Sequence, residues 1–419
     1  MGDRDLLGPA DVSDETLTAI VGDSLGTEVE LISCDVEVAA YALESLTTAG
    51  RYWVRGTARH SAGVSPYTLF VKVVQSWSRT VHFQVPEELR ELALRSLPWF
   101  VEPRVYRSRL GECLPPGLSM PRAHAVIDLD EESASLWLQA VDVDPTDWSP
   151  ATFRRAAHLL GRLAASPAVR QVGTLGVKGI VRDYANGRVA YQLLPALRSE
   201  ELWRHPVISE AFTPELRTRL LAAAETLPGV LDELDGAPLG SAHGDACPLN
   251  LLIANGAPDD FVMIDFGRWC EAPLGFDLSQ LLLGEVQLGH RPASELVELE
   301  DICLRAYVDG LHAEGCEISL EAVRRTHALL MLLFWGMSAV PMEVLTGPTT
   351  PVSAAAVRER ARAAAFVLDL VDATSATPPE RGPAAPHDEL LRMTTGAFST
   401  HSPERDRPDG FPASTRASD

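Results

Sequence analysis

The stretch SAHGDACPLN, residues 241–250, is followed by the apolar run LLIA, a turn over 255–260, and then FVMIDFGR, residues 261–268. Two short strands separated by turn residues would present His243, Asp245, Asn250 and Asp265 around one hairpin. Singly, each of these is an ordinary turn former. Together they match what phosphoryl transfer requires: a carboxylate that accepts or orients the attacking hydroxyl, and oxygen ligands for a magnesium ion that bridges nucleotide phosphates. In this reading Asp245 is the base or orienting group, Asn250 and Asp265 hold Mg²⁺, and His243 fixes the loop and takes no proton-transfer part in catalysis.

A nucleotide also needs a cation on its phosphates. Of the 36 basic residues only Lys72 and Lys178 are lysines, so a lysine that persists in this arginine-rich chain is weighed for its chemistry. Lys72 lies inside the apolar strand LFVKVV, where a solitary charge needs a partner. Lys178, in TLGVKGIV, reads as a solvated loop residue.

Short β segments surround Lys72. Residues 29–34, 36–42, 50–59 and 68–74 are rich in Val, Tyr, Trp and Thr, and turn residues separate them. A helical segment over 87–109 precedes another hairpin at 123–128 and 133–141. This predicts an antiparallel sheet of about five strands with one helical insertion. Beyond residue 142 the pattern turns helical. Ser149-Pro150 and Thr213-Pro214 are N-cap and first-turn signatures, the second leading into a helix over 215–227, and further helices are expected near 293–313, 319–340 and 351–371. The apolar stretch 328–340 is too short to span a membrane and reads as a buried helix.

Composition narrows the partners. The 419 residues, 46% hydrophobic and 22% charged, suit a soluble chain with two lobes. A formal net charge of −22 repels nucleic acid and anionic membranes and favours a cationic or polyhydroxylated small molecule. Six cysteines without a CxxC pair, and an N-terminus lacking a basic stretch before an apolar run, set the cytoplasm as the expected compartment. Residues 373–419, proline-rich and without apolar periodicity, are expected to be disordered. Oligomeric state is left open.

HGDACPLN followed by VMIDFGR resembles the HGDxxxxN and IDxG motifs of the aminoglycoside phosphotransferase family. The likeness is specific over 241–278 and colinear but weaker from about 36 to 371. It implies a bilobal, protein-kinase-like α/β (α+β) fold, with a small antiparallel-sheet lobe over 1–141 and a larger helical lobe over 142–372. It assigns catalysis to Asp245, metal ligation to Asn250 and Asp265, and the nucleotide phosphates to Lys72. Asp277, in GFDLSQLL, resembles the aspartate that opens a helix and braces the catalytic loop.

The resemblance also assigns Glu102 as the partner of Lys72. Pro103 biases Glu102 toward an N-cap position, and Glu88 and Glu91 compete for the role. No glycine-rich phosphate loop joins the first strands; Ser45, Thr47 and Thr48 stand there instead, with Thr48 the candidate phosphate contact. LWLQAVD resembles the inter-lobe hinge, where the backbone of Gln139 to Val141 would meet a purine, ATP or GTP. The activity implied is Mg²⁺-dependent transfer of phosphate to a hydroxyl of an antibiotic or metabolite. A binding protein that keeps the fold without catalysis is the alternative, and metal-dependent hydrolysis at His243, Asp245 and Asp265 is the third reading.

Overall fold

In the computed structural model, residues 4–375 are described except 41–44, 81–82, 84, 144–147, 258 and 343–352. The expected disordered tail falls outside the described residues, apart from the end of the last helix, which extends past 372 to Ser375.

Five strands form the first sheet: β1 (Glu30–Val38), β2 (Thr48–His60), β3 (Gly63–Gln75), β5 (Ala123–Asp130) and β6 (Ser133–Gln139), in the order β1-β2-β3-β6-β5, with every neighbouring pair antiparallel. The segments read separately at 29–34 and 36–42 form one strand here, with a register irregularity between Leu31 and Ser33; the strand ends at Val38, and residues 41 and 42 of the second segment lie outside the described residues. The tight turn at Ser61 and Ala62 fixes the β2–β3 register and places Arg51 opposite Lys72.

Side-chain alternation gives the sheet two different faces. Leu69 and Val71 pack with Trp137 under helix α1 (Asp14–Leu25), which contributes Leu17, Ile20 and Val21. Phe70 and Val74 face the other way, toward the larger core, and Lys72 shares their parity. The expected helix over 87–109 breaks into α2 (Arg90–Ser96) and α3 (Val101–Arg107), with Pro98 in the break.

The helical part contains α4 (Pro150–Ala165), α5 (Pro214–Asp235), α6 (Phe276–Leu288), α7 (Leu296–Ala313), α8 (Leu320–Met331) and α9 (Ala354–Ser375). Ser13, Ser149, Thr213 and Ser319 each accept a first-turn N–H at 3.1–3.2 Å, a cap contributing about 1 kcal/mol. α5 continues beyond the expected 227 and through Pro228. The ring removes one intrahelical hydrogen bond, and burial of Leu227, Val230, Leu231 and Leu234 on both sides holds the helix together. The apolar run after α8 is not one regular helix, because Leu332–Gly336 is π-helical. Ala185–Leu193 is π-helical as well. No helix among the described residues is long and apolar enough to cross a membrane.

Helices α4 and α7 cross at two glycines. A Cβ on Gly161 would stand 2.1 Å from the Tyr307 carbonyl oxygen, and one on Gly310 would stand 2.1 Å from the His158 carbonyl oxygen. Helix propensity alone would make Gly161→Ala stabilising by about 1 kcal/mol. The backbone clash opposes it and wins, so Gly161→Ala should destabilise the fold by about 2 kcal/mol or more, read as a lowered urea midpoint. An unchanged or raised midpoint would show that the crossing is looser than described.

Candidate active site

Lys72 is buried on β3 with two carboxylates around its ammonium: Glu102 Oε2 at 2.6 Å and Asp265 Oδ1 at 2.9 Å. Burial opposes the charge, but the two acids outweigh it and raise the Lys72 pKa. Glu102 is the second residue of α3 and not its N-cap, which is Phe100. Pro103 then falls in the first turn, where a missing N–H costs no helical bond, so the proline bias is met without unwinding the helix. Glu88 and Glu91 are exposed and make no ion pair with Lys72.

Asp265 has φ 64° and ψ 62°, the one positive φ outside glycine among the described residues. A left-handed aspartate is strained by about 1–2 kcal/mol, and the Lys72 contact helps to hold it. Although burial resists ionisation, the nearby ammonium keeps the Asp265 pKa below the usual carboxylate range.

The loop bearing Asp245 leaves β7 (Leu239–Ala242), which pairs with β10 (Cys270–Pro273). It passes a 3₁₀ turn at Pro248–Asn250 and enters β8 (Leu251–Leu252), which pairs with β9 (Phe261–Met263), the strand preceding Asp265. The short strand β4 (Leu118–Ser119) runs parallel to β9 on its other side.

Asp277, at the start of α6, accepts the His243 N–H at 2.8 Å and the Gly244 N–H at 2.9 Å. His243 Nε2 faces the Ile264 carbonyl at 3.0 Å, and its Nδ1 receives the Asp245 N–H at 3.3 Å. A carbonyl can only accept and an amide can only donate, so the ring is the neutral Nε2–H tautomer, a strut between both parts of the site. Gly244 has φ 86°, and a Cβ there would lie 2.0 Å from the Arg268 carbonyl oxygen. The glycine of HGD is therefore required twice over.

Asn250 Nδ2 donates to the Asp245 carbonyl at 2.8 Å, which leaves its Oδ1 for a cation. Gln280, one turn beyond Asp277 on α6, donates to Asp245 Oδ1. Burial pushes the Asp245 pKa up, partly offset by Arg268. Cys247 packs at the Gly284 Cα, and burial pushes its thiol up to about 12, so it serves as a small packing residue.

A cavity of about 260 Å³ is lined by Asn250 and by the Lys72 cluster, while Asp245 is not among its lining residues. Its apolar wall includes Trp53, Phe70, Leu138, Leu249, Leu252 and Ile264, and its polar end holds Lys72, Glu102, Asn250 and Asp265. Gln139 and Val141 line it too, although the Gln139 N–H is committed to the Arg122 carbonyl at 2.8 Å. Thr48 is not among the lining residues, and its hydroxyl pairs with Ser45 at 3.0 Å. Arg51, which motif reading overlooked, lines the cavity beside Lys72; counting outward from the Ser61–Ala62 turn would have found it. Gln280 was also legible, from its helical spacing to Asp277.

No group of three or more His, Cys, Asp or Glu converges as a metal cage among the described residues. Asn250 and Asp265 offer hard oxygen donors at an open cavity, which fits an ion that keeps waters and shares its shell with phosphates.

Replacing Asp277 by Asn turns one of its two acceptor oxygens into a donor facing a backbone N–H. Asp277→Asn should cost about 1–3 kcal/mol and accelerate hydrogen exchange at the His243 and Gly244 amides. Unchanged protection there would mean that the brace is not needed.

No curated protein matches the sequence. Among solved structures, an aminoglycoside phosphotransferase from Alicyclobacillus acidocaldarius is similar at 15% identity and TM-score 0.47, over 81% of this chain and 98% of that one. An aminoglycoside phosphotransferase from Streptomyces rimosus is similar at 20% identity and TM-score 0.37, over 77% and 100%. A macrolide 2'-phosphotransferase from Brachybacterium faecium is similar at 16% and 0.39, over 88% and 100%. The model of the phosphotransferase enzyme family matches residues 59–315, which takes in Lys72, Glu102, the HGDACPLN loop, Asp265 and Asp277. The chain belongs to that family.

Proposed function

We propose that this protein transfers the terminal phosphate of ATP or GTP to a hydroxyl of a small molecule, with Asp245 as the catalytic carboxylate. The observation that carries the reading is the junction at Lys72. One buried ammonium joins a strand, a helix and the Asp265 turn at the polar end of a cavity whose other walls are apolar.

In this reading the base lies against Trp53, Phe70 and Leu138, with its edge toward the backbone of Val141. Lys72 and Arg51 face the phosphates. Asn250 and Asp265 would hold Mg²⁺, which when bound neutralises phosphate charge. The acceptor oxygen bonds to the terminal phosphorus as the bond from that phosphorus to the bridging oxygen breaks. The hydroxyl proton passes to Asp245, and the nucleoside diphosphate leaves. Gln280 aims the Asp245 carboxylate, and His243 supports the loop through its fixed tautomer.

Asp245→Asn should lower kcat by about 100-fold or more while leaving the Kd for Mg-nucleotide within about twofold, because the lost role is on the acceptor side. In the wild type only the ionised carboxylate accepts the proton. Since burial raises the Asp245 pKa, the acid limb of kcat/KM should lie above the ordinary aspartate range. A variant that turns over at the wild-type rate would remove Asp245 from the mechanism. Absence of Mg-nucleotide binding in the wild type would favour the non-catalytic reading.

A further inference from the structure

A second cavity of about 330 Å³ shares no lining residue with the first. It reaches the catalytic loop through Arg268, whose Cβ lies 2.8 Å from where a Cβ on Gly244 would stand. Leu46, in the connection between β1 and β2, closes it from the sheet side. Asp245 itself lines neither cavity, and Arg268, whose charge acts on the Asp245 carboxyl, is the link between that residue and the second one.

Its chemistry runs against the charge of the chain as a whole. Trp77, Leu92, Ile180, Tyr184, Tyr191 and Phe334 give it an apolar and aromatic wall. One carboxylate lines it, Asp183, and Arg95 holds that group at both oxygens, at 2.7 and 2.9 Å. The remaining charged lining residues, Arg188 and Arg268, make no ion pair with any described residue. An ammonium group would therefore approach two exposed guanidinium groups, Arg188, which has no ion-pair partner among the described residues, and Arg268, whose charge also acts on Asp245.

The two π-helical segments meet at this cavity. Ala185–Leu193 supplies Gly187, Arg188, Tyr191 and Gln192, and Leu332–Gly336 supplies Phe334. Tyr184, immediately before the first segment, stacks on Phe334 with ring centroids 4.3 Å apart and planes 20° apart. Widened helical turns of this kind recur at functional sites because they re-aim side chains.

We infer that the acceptor, on the phosphotransferase reading above, is a ring-bearing, largely apolar alcohol with an acidic group and no ammonium groups. Its rings lie against Tyr184, Tyr191 and Phe334, and its acidic group faces Arg188. The acidity of the chain is a property of its outer surface and does not select the substrate.

The test measures product formation by mass spectrometry from Mg-ATP and Mg-GTP with three probes: a hydroxymethyl-naphthoate, the same alcohol with an aminomethyl group in place of its carboxylate, and kanamycin. Calorimetric binding of each probe to enzyme loaded with a non-hydrolysable nucleotide accompanies it. The naphthoate should be bound and phosphorylated in preference to both amines, and Arg188→Glu should weaken its KM and Kd by about tenfold or more. Preference for either amine overturns the inference, as does failure of the naphthoate to bind at millimolar concentration or a Kd unmoved by Arg188→Glu. Wild-type enzyme that binds no Mg-nucleotide overturns the phosphotransferase reading instead, a separate outcome of the same experiment.

Discussion

A buried ammonium cannot remain charged without partners, and the partners of Lys72 come from two other places in the chain. Glu102 arrives on a helix packed against the sheet, and Asp265 arrives from a turn 193 residues further along. Breaking such a contact from one side leaves an uncompensated buried charge, which costs about 3–5 kcal/mol. The arrangement therefore resists partial assembly. Arg51, opposite Lys72 in the sheet, brings a second cation to the same two carboxylates.

The loop bearing Asp245 is held by two further struts. Asp277 occupies two backbone N–H groups, and His243 joins the Ile264 carbonyl to the Asp245 amide. Gly244 lets the chain pass where any side chain would strike the Arg268 backbone. These contacts fix the backbone of Asp245 in place. They give a physical reason for a histidine, a glycine and an aspartate to occur together: the histidine and the glycine are there for geometry.

Much of this was legible in the sequence because it depends on local spacing. The loop aspartate, the asparagine five residues on and the lone lysine in an apolar strand were found without coordinates. Arg51 and Gln280 belong to no motif, yet both are within reach of the sequence, one by hairpin register and the other by helical periodicity. Glu102 showed the limit of a local rule: Pro103 forbids a mid-helix position and permits the first turn as readily as a cap. The second cavity was not legible at all. Its walls come from distant segments, and its two π-helical turns leave the apolar periodicity of the sequence looking like ordinary helix. A net charge summed over the chain suits a cationic or polyhydroxylated ligand, and it does not report the local charges that line one cavity.

On the phosphotransferase reading proposed above, Lys72 and Asp265 act as one unit in receiving the nucleotide. Calorimetric titration of Mg-ATP and Mg-GTP into wild type, Lys72→Met, Asp265→Asn and the double variant measures it directly. Each single variant should bind at least about tenfold more weakly, and the double variant should lose less than the sum, with a coupling of about 0.5–3 kcal/mol. Strictly additive losses, or nucleotide affinity unchanged in either single variant, would contradict the account.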